Sequence, residues 1–371
     1  MCIDVYNVSM LSIRQFAFLL PLLLLACGPT APATTVPATA APSLPAAVPA
    51  TSVSATATPT SVGAGTPTSV GAGTYTPTVT AVPAVTPLPK AGKPLKLVAS
   101  TPVIADALRN LVLGIDGVSV EVLVPLGADP HEYEPTPADA RKLVGANAVF
   151  VTGVTFEDEW LSKLLRTAGS GLKPVEVSRG MTLTRIDPVF DAEFESDPHV
   201  GMDPDMWQQA VQTMGLAIAG LDAAIAPAVG TNVQAYRAKI TQADAAAKTL
   251  LLSLPAERRV LVTTHDAMGY WAAHYGFKVV GTIFEGPSTT AGALNPRNIK
   301  ALSDKIKQQK VKAIFAEAGV NPKLTEAVAR EAGITIIETL YVDTLSPADG
   351  PASTYIDLIM HNARTIAAAL K

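Results

Sequence analysis

Cysteine, histidine, aromatic side chains and long apolar runs are all scarce in this 371-residue chain, which carries 2 cysteines, 5 histidines and 5% aromatics. The cysteines are Cys2 and Cys27, so the rest of the chain can build neither a disulfide scaffold nor a thiolate-rich zinc site. Charged residues make up only 16%, the net charge is −4 and the pI is near 5.8. Without clustered Lys and Arg, a nucleic-acid surface is excluded. No apolar run reaches the roughly 20 residues that cross a bilayer. Hydrolase signatures are missing as well. His131-Glu132-Tyr133-Glu134 lacks the second histidine of His-Glu-x-x-His, and neither Gly-x-Ser-x-Gly nor a cysteine nucleophile occurs in the body of the chain.

The N-terminus has a different character. Phe16 to Leu25 is almost wholly apolar, and Arg14 is the only positive side chain before it. This is the pattern of a secretory leader, and Leu24-Leu25-Ala26-Cys27 resembles a bacterial lipobox, after which Cys27 would carry lipid and become the first mature residue. A start at Met10 gives a tidier leader than one at Met1. Residues 28–94 are rich in Pro, Ala, Thr, Ser, Val and Gly and nearly uncharged, and Thr58 to Gly65 is repeated without change as Thr66 to Gly73. Frequent proline blocks helix and central strand, so the segment reads as a disordered tether. A flexible coil of about 65 residues spans roughly 45 Å, enough to let an anchored domain move above its membrane.

From Leu95 onward, strand-like and helix-like segments alternate. Strands are predicted at Leu95–Ala99, Val118–Val124, Ala148–Thr152 and Pro174–Val177, with helices at Pro102–Leu113, Pro137–Gly145 and Glu157–Ala168 between them. Two proline-free helical stretches follow, Asp205–Ala224 and Val229–Ser253, with Pro227 separating them. The alternation resumes with strands at Arg259–Val262, Val279–Ile283, Ala313–Ala316 and Thr335–Thr339, and helices at Met268–His274, Pro296–Gln308, Pro322–Ala332 and Ser353–Ala369. The apolar strand runs are those of parallel sheets covered on both faces. The pattern predicts an α/β fold in which two βα lobes, residues 95–227 and 255–371, are joined by a long helix within residues 228–254.

That arrangement decides how the histidines are read. Asp-Pro-His occurs twice, at Asp129-Pro130-His131 and Asp197-Pro198-His199, and His265 directly follows Val260-Leu261-Val262 by way of two threonines. In open parallel sheets ligands bind beyond the carboxyl ends of the strands. His131, His265 and Asp343, which follows the strand ending near Leu340, all lie at such ends, and His199 opens the helical region between the lobes. Imidazole and carboxylate together are common transition-metal ligands, so the four are candidate ligands of one site at the lobe interface. For each histidine the bland alternative is a hydrogen-bonded loop residue, and for Asp343 a cap on the following turn. Glu317, at another strand end, either orients a ligand histidine from behind or serves a helix terminus. His274 and His361 fall in predicted helices as structural or surface residues, and Glu132 and Glu134 read as charges at the pocket mouth.

Several stretches carry a family resemblance. Pro125 to Pro137, Asp197 to Pro204 (Asp-Pro-His-Val-Gly-Met-Asp-Pro), Thr264 to Trp271 with Tyr275-Gly276-Phe277, Ala313 to Glu317, and Tyr341 to Thr344 resemble, in this order, the zinc and manganese solute-binding lipoproteins of ABC importers (the cluster A-I metal-binding, TroA/ZnuA-like family). The resemblance covers essentially Leu95 to Lys371. It implies metal held between two lobes on a rigid backbone helix at Val229–Ser253, with His131, His199, His265 and Asp343 as ligands. It also implies a monomer that passes a divalent metal to a membrane permease driven by an ATPase, while a lipid on Cys27 holds it to the membrane. Three imidazoles and one carboxylate favour Zn2+, with Mn2+ second, because manganese prefers more oxygen and a higher coordination number. Two departures stand out. Gly201 replaces a usually bulky residue, which would loosen packing beside His199. Where zinc-specific members carry a His-rich loop, Asp187 to Asp197 is acidic and reads as a solvated segment or a weak gatherer of cations. A surface adhesin that uses metal only to hold its fold, and a zinc hydrolase, are the alternatives. Four protein ligands would leave the hydrolase no open position for water.

Overall fold

The computed structural model describes residues 89–169, 171–186, 195–284, 286, 288–289 and 296–371. The leader, Cys27, and the tether up to residue 88 lie outside the described residues, as do residues 187–194 of the acidic segment.

The first sheet is built from β1 (Lys90–Ala99), β2 (Asp116–Val122), β3 (Ala148–Val151) and β4 (Val175–Glu176), all parallel in the order β2-β1-β3-β4. Its crossovers run through α1 (Pro102–Leu111), α2 (Pro137–Leu143) and α3 (Asp158–Thr167). A short antiparallel ribbon, β5 (Arg185–Ile186) with β6 (Glu195–Ser196), leads to α4 (Pro204–Leu221) and α5 (Ala226–Leu252). The second sheet comprises β7 (Val260–Thr263), β8 (Lys278–Thr282), β9 (Ala313–Glu317) and β10 (Ile336–Leu340), parallel in the order β10-β9-β7-β8. With it come α6 (Gly269–Tyr275), α7 (Pro296–Gln308), α8 (Lys323–Ala332) and α9 (Tyr355–Ala369).

In both sheets the chain reverses direction across the sheet beside its first strand, between β1 and β3 and between β7 and β9. Such switch points open a crevice at the strand carboxyl ends. The predicted architecture of two parallel α/β lobes is therefore the observed one. Most element ends shift slightly from their predicted positions, and two of the differences have a clear physical reason. β1 begins at Lys90, not Leu95, because Lys90 pairs with Asp116 across an irregularity in the β1–β2 register. Pro227 does not separate the two central helices but lies inside the first turn of α5, where a missing N–H costs no helical bond. The break comes instead at Asp222, the C-cap of α4, whose carboxylate accepts Ala224 N at 2.9 Å and Gly92 N at 2.6 Å.

The helix α5 joins the lobes through its buried stripe of Val229, Val233, Tyr236, Ile240, Ala243, Ala247 and Leu251, at spacings that keep one face toward α1, α4 and α9. Inside that interface Tyr236 Oη donates to Asp106 Oδ2 at 2.8 Å, and the same oxygen accepts Tyr355 N at 3.1 Å. Burial raises the Asp106 carboxyl, while these two donors and Arg109 hold it down. One carboxylate thus links α1, α5 and the start of α9. The α4–α5 contact is close enough that a Cβ added at Gly215 would collide with Cγ2 of Val233. A β-branched side chain has little rotamer freedom with which to yield. Gly215→Leu is expected to destabilise the fold by about 1–3 kcal/mol despite its better helix propensity. Denaturant unfolding of the two proteins is the check, and an unchanged midpoint would contradict close α4–α5 packing.

Candidate metal centre

The predicted site residues do come together. After β2 the chain continues along the sheet edge, Leu123 N bonding Ala99 O and Val124 N bonding Ser100 O at 2.9 Å each, and then turns at Gly127 with φ +75°. His131 follows, its peptide N–H held by Asp129 Oδ1 at 2.9 Å and the carbonyl before it held by Trp160 Nε1 at 3.1 Å. His199 enters from the strap before the short 3-10 turn Val200–Met202. His265 leaves β7, and Asp343 leaves β10. One ligand atom from each of the four lies within 4.8 Å of the others. Asp343 Oδ2 is 3.6 Å from His131 Nε2 and 3.4 Å from His265 Nε2, and its Oδ1 is 3.8 Å from His199 Nε2.

Outer carboxylates set the chemistry of two of these rings. His199 Nδ1 lies 2.8 Å from Asp197 Oδ1, and His265 Nδ1 bonds Glu317 Oε2. A carboxylate can only accept, so each Nδ1 carries the hydrogen and each neutral ring turns an Nε2 lone pair inward. Those two Nε2 atoms are 3.2 Å apart, with the Asp343 carboxylate beside them. His131 Nε2 is buried with no hydrogen-bond partner. A cluster made only of acceptors is self-repulsive unless a cation or a proton occupies it. Burial opposes charge on His265, yet Glu317 and Asp343 together raise its pKa well above the imidazole range. Burial likewise opposes charge on Asp343, and the three histidines hold its carboxyl well below the usual range.

Of the two roles open to Glu317, the structure places it behind His265. Its Oε1 also accepts Thr264 N and His265 N at 3.1 Å each. The switch point explains this, since β7 and β9 are neighbours and Thr263 pairs with Phe315. Asp197 is a correction. Read with the acidic segment as solvated, it is in fact buried and bonded to both the backbone N–H and the ring of His199. The repeated Asp-Pro-His held the signal, for in both copies the aspartate accepts the histidine N–H at 2.9 Å. The copies then diverge, because Asp129 Oδ2 takes the Thr289 hydroxyl of the other lobe at 2.6 Å. A second contact across the interface runs from Gly127 N to Thr344 Oγ1 at 2.9 Å.

Phe156 was not foreseen. Its ring meets His131 edge-on at 4.7 Å and His199 at 5.8 Å. Gly201 loosens less than expected. His199 is buried and pinned, and the Trp207 ring lies 3.7 Å from where a Cβ would be, leaving a cavity of about 40 Å³ between Gly201, His199, Ile104 and Asp343.

Asp203, Asp205 and His274 form a second cluster, which a cation does not need to fill. His274 Nε2 meets Asp244 Oδ1 at 2.8 Å and Nδ1 meets Asp203 Oδ1 at 3.2 Å, so both ring nitrogens donate and neither lone pair is free. Burial works against this charge, but the two carboxylates raise the pKa to about 9. His274 is thus a buried imidazolium joining α6 to α4 and α5, and not a surface residue.

Comparisons with known proteins show the family to which the chain belongs. The profile of the family described as ZnuA, zinc-uptake complex component A periplasmic, matches residues 97–369. The zinc-binding protein TroA of Treponema pallidum is 34% identical over 284 residues, covering 75% of this chain and 89% of its own. The manganese-binding lipoprotein MntA of Bacillus subtilis is 31% identical, covering 76% and 91%. The iron-binding protein YfeA of Yersinia pestis is also 31% identical, covering 74% and 86%. The solved structure of TroA superposes with a TM-score of 0.67 at 31% identity, covering 75% of this chain and 99% of that one.

The His274 geometry carries its own prediction. A histidine whose folded pKa lies above its unfolded value contributes stability that is complete below about 6.5 and is lost as pH rises through the folded value. Wild type should therefore lose stability between about pH 6.5 and the folded pKa of about 9, a loss that His274→Gln should largely abolish. Thermal melts across that range, with chelator present, are the measurement, and parallel curves for the two proteins would refute the ion triad.

Proposed function

Because this chain belongs to the ZnuA family of periplasmic zinc-uptake components, we propose that it captures a divalent transition metal outside the cytoplasm, zinc in preference to manganese, and delivers it to a membrane permease driven by an ATPase. Members of the family are substrate-binding proteins of metal ABC importers and not enzymes. Relatives named for zinc, manganese and iron all match, so metal preference has to be argued from the donors of this chain. The observation that carries the proposal is the convergence of His131, His199, His265 and Asp343 from different elements of both lobes. Three neutral imidazoles and a carboxylate suit four- or five-coordinate zinc, whereas manganese favours a more oxygen-rich set.

In this reading His131, His199 and His265 present Nε2 and Asp343 presents its carboxylate, while Asp197 and Glu317 keep two of the rings in the ligating tautomer. The metal displaces the proton that Glu317 and Asp343 favour on His265, and the Asp129–Thr289 and Gly127–Thr344 contacts close the lobes over the filled site. Among the described residues no helix is long and apolar enough to cross a membrane. A lipid on Cys27 and the tether of residues 28–94 would hold a monomeric carrier at the bacterial surface or in the periplasm, within reach of its permease.

The decisive test is native mass spectrometry with metal analysis on the full chain carrying Cys27→Ser, stripped and then offered zinc and manganese together. One zinc per chain is expected, with His265→Glu shifting occupancy toward manganese. Absence of stoichiometric metal in wild type would end the proposal. Proton linkage supplies a second test. Because Glu317 and Asp343 favour a proton on His265 in the metal-free protein, metal binding should release protons, and affinity should fall as the medium is acidified. Calorimetry in buffers of different ionisation enthalpy measures the release, and an affinity unchanged between about pH 7.5 and 5 would contradict a histidine-dominated site.

A further inference from the structure

The three histidines of the centre are not held alike. His199 and His265 each have a carboxylate on Nδ1. Among the described residues no carboxylate is bonded to Nδ1 of His131, and the Phe156 ring packs against it edge-on at 4.7 Å and 65°. The loop before Phe156 is unusual. Gly153, Val154 and Thr155 have φ of +82°, +56° and +65° in succession, and for β-branched Val and Thr this left-handed region is disfavoured. Such a backbone persists only where its surroundings hold it.

What holds it is Glu157, which is 1% exposed. Its Oε1 accepts Thr152 N and Ser100 Oγ at 2.7 Å each, and its Oε2 accepts Gly153 N at 3.1 Å. The other side of the loop is walled by Ser178, whose hydroxyl donates to Thr152 O at 2.7 Å. Burial pushes the Glu157 carboxyl up to about 7, and the loop donors oppose that rise, so carboxylate and loop stabilise each other. Among the described residues Glu157 makes no hydrogen bond to the four converging side chains, so its effect on them has to pass through Phe156.

We propose that Glu157 is a positioning residue for metal capture, clamping the strained 153–155 loop so that the Phe156 ring fixes His131 with its Nε2 toward Asp343. The inference rests on the metal-capture reading above. Phe156 does for His131 by packing what Asp197 and Glu317 do for the other two rings by hydrogen bonding. Without the clamp the loop relaxes, Phe156 withdraws, and His131 must be ordered at the moment of binding.

The experiment is zinc affinity by competition with a chromophoric chelator, on the full chain carrying Cys27→Ser, for Phe156→Ala, Glu157→Gln and their combination, each also in a His131→Ala background. Each single change is expected to weaken zinc binding about tenfold, the range typical of residues that orient ligands from behind. The combination should be little worse than either alone, because the two act in series. In the His131→Ala background Phe156→Ala should cost no further affinity, an outcome that a general packing role would not produce. If Glu157→Gln fails to fold, Ser100→Ala removes one of the clamp bonds and should give a smaller loss in the same direction. Affinities within twofold of wild type, or losses that multiply or persist without His131, would overturn the inference while leaving metal capture intact. A wild type that binds no zinc would overturn metal capture itself, and this inference with it.

Discussion

Two imidazole nitrogens 3.2 Å apart, each already committed through its other nitrogen to a carboxylate, cannot keep lone pairs directed at one another without positive charge between them. Asp343 adds negative charge to the same point. The polypeptide therefore spends folding free energy to assemble a cluster that repels itself, and something rigid has to bear that cost. The bearing structure is the pair of parallel sheets and the helix α5 between them. Their strand ends bring His131, His265 and Asp343 in from opposite sides, and the strap before α4 brings His199. The carboxylates of Glu317 and Asp343 favour a proton on His265, which would relieve the repulsion when no cation is present.

Each histidine is fixed by a different means, and the differences follow from where it leaves the fold. His265 follows β7 directly, beside β9, so Glu317 from the neighbouring strand reaches its ring. His199 lies beyond the short strand β6 and depends on Asp197, two residues away in its own strap. His131 sits in a long loop whose own aspartate, Asp129, is turned away to the other lobe, so ring packing by Phe156 is what remains. The same Asp-Pro-His triplet thus does two jobs. In one copy the spare carboxylate oxygen links the lobes, and in the other the carboxylate orients a ring.

Away from the centre, two paired polar clusters join the helices around α5. Asp106 ties α1, α5 and α9 through Tyr236 and Tyr355, and the His274 imidazolium ties α6 to α4 and α5 through Asp203 and Asp244. A misplaced helix would strand one of these charges out of water, which is costly unless it is paired. Such groups specify how the lobes sit on the connecting helices more sharply than apolar burial alone.

Much of this was legible in the amino-acid order because it is local. The alternation of apolar runs with helix-compatible stretches determined two parallel α/β lobes, and the positions of His131, His265 and Asp343 just past strands pointed to a centre at the carboxyl ends. What only the tertiary structure decided depends on residues distant in sequence. Whether Glu317 served a helix or a histidine could not be read from its neighbours, since it turns on β9 lying beside β7. Asp197 could not be told from the acidic residues around it until the fold buried it against the His199 ring. Glu157 reads as the start of an ordinary helix and Phe156 as the residue before it, because backbone strain in the loop before them leaves no mark in composition. Pattern along the chain specifies elements and their order, but the partner that fixes a side chain's protonation, tautomer or orientation is set by which elements become neighbours, and that exists only once the sheets have formed.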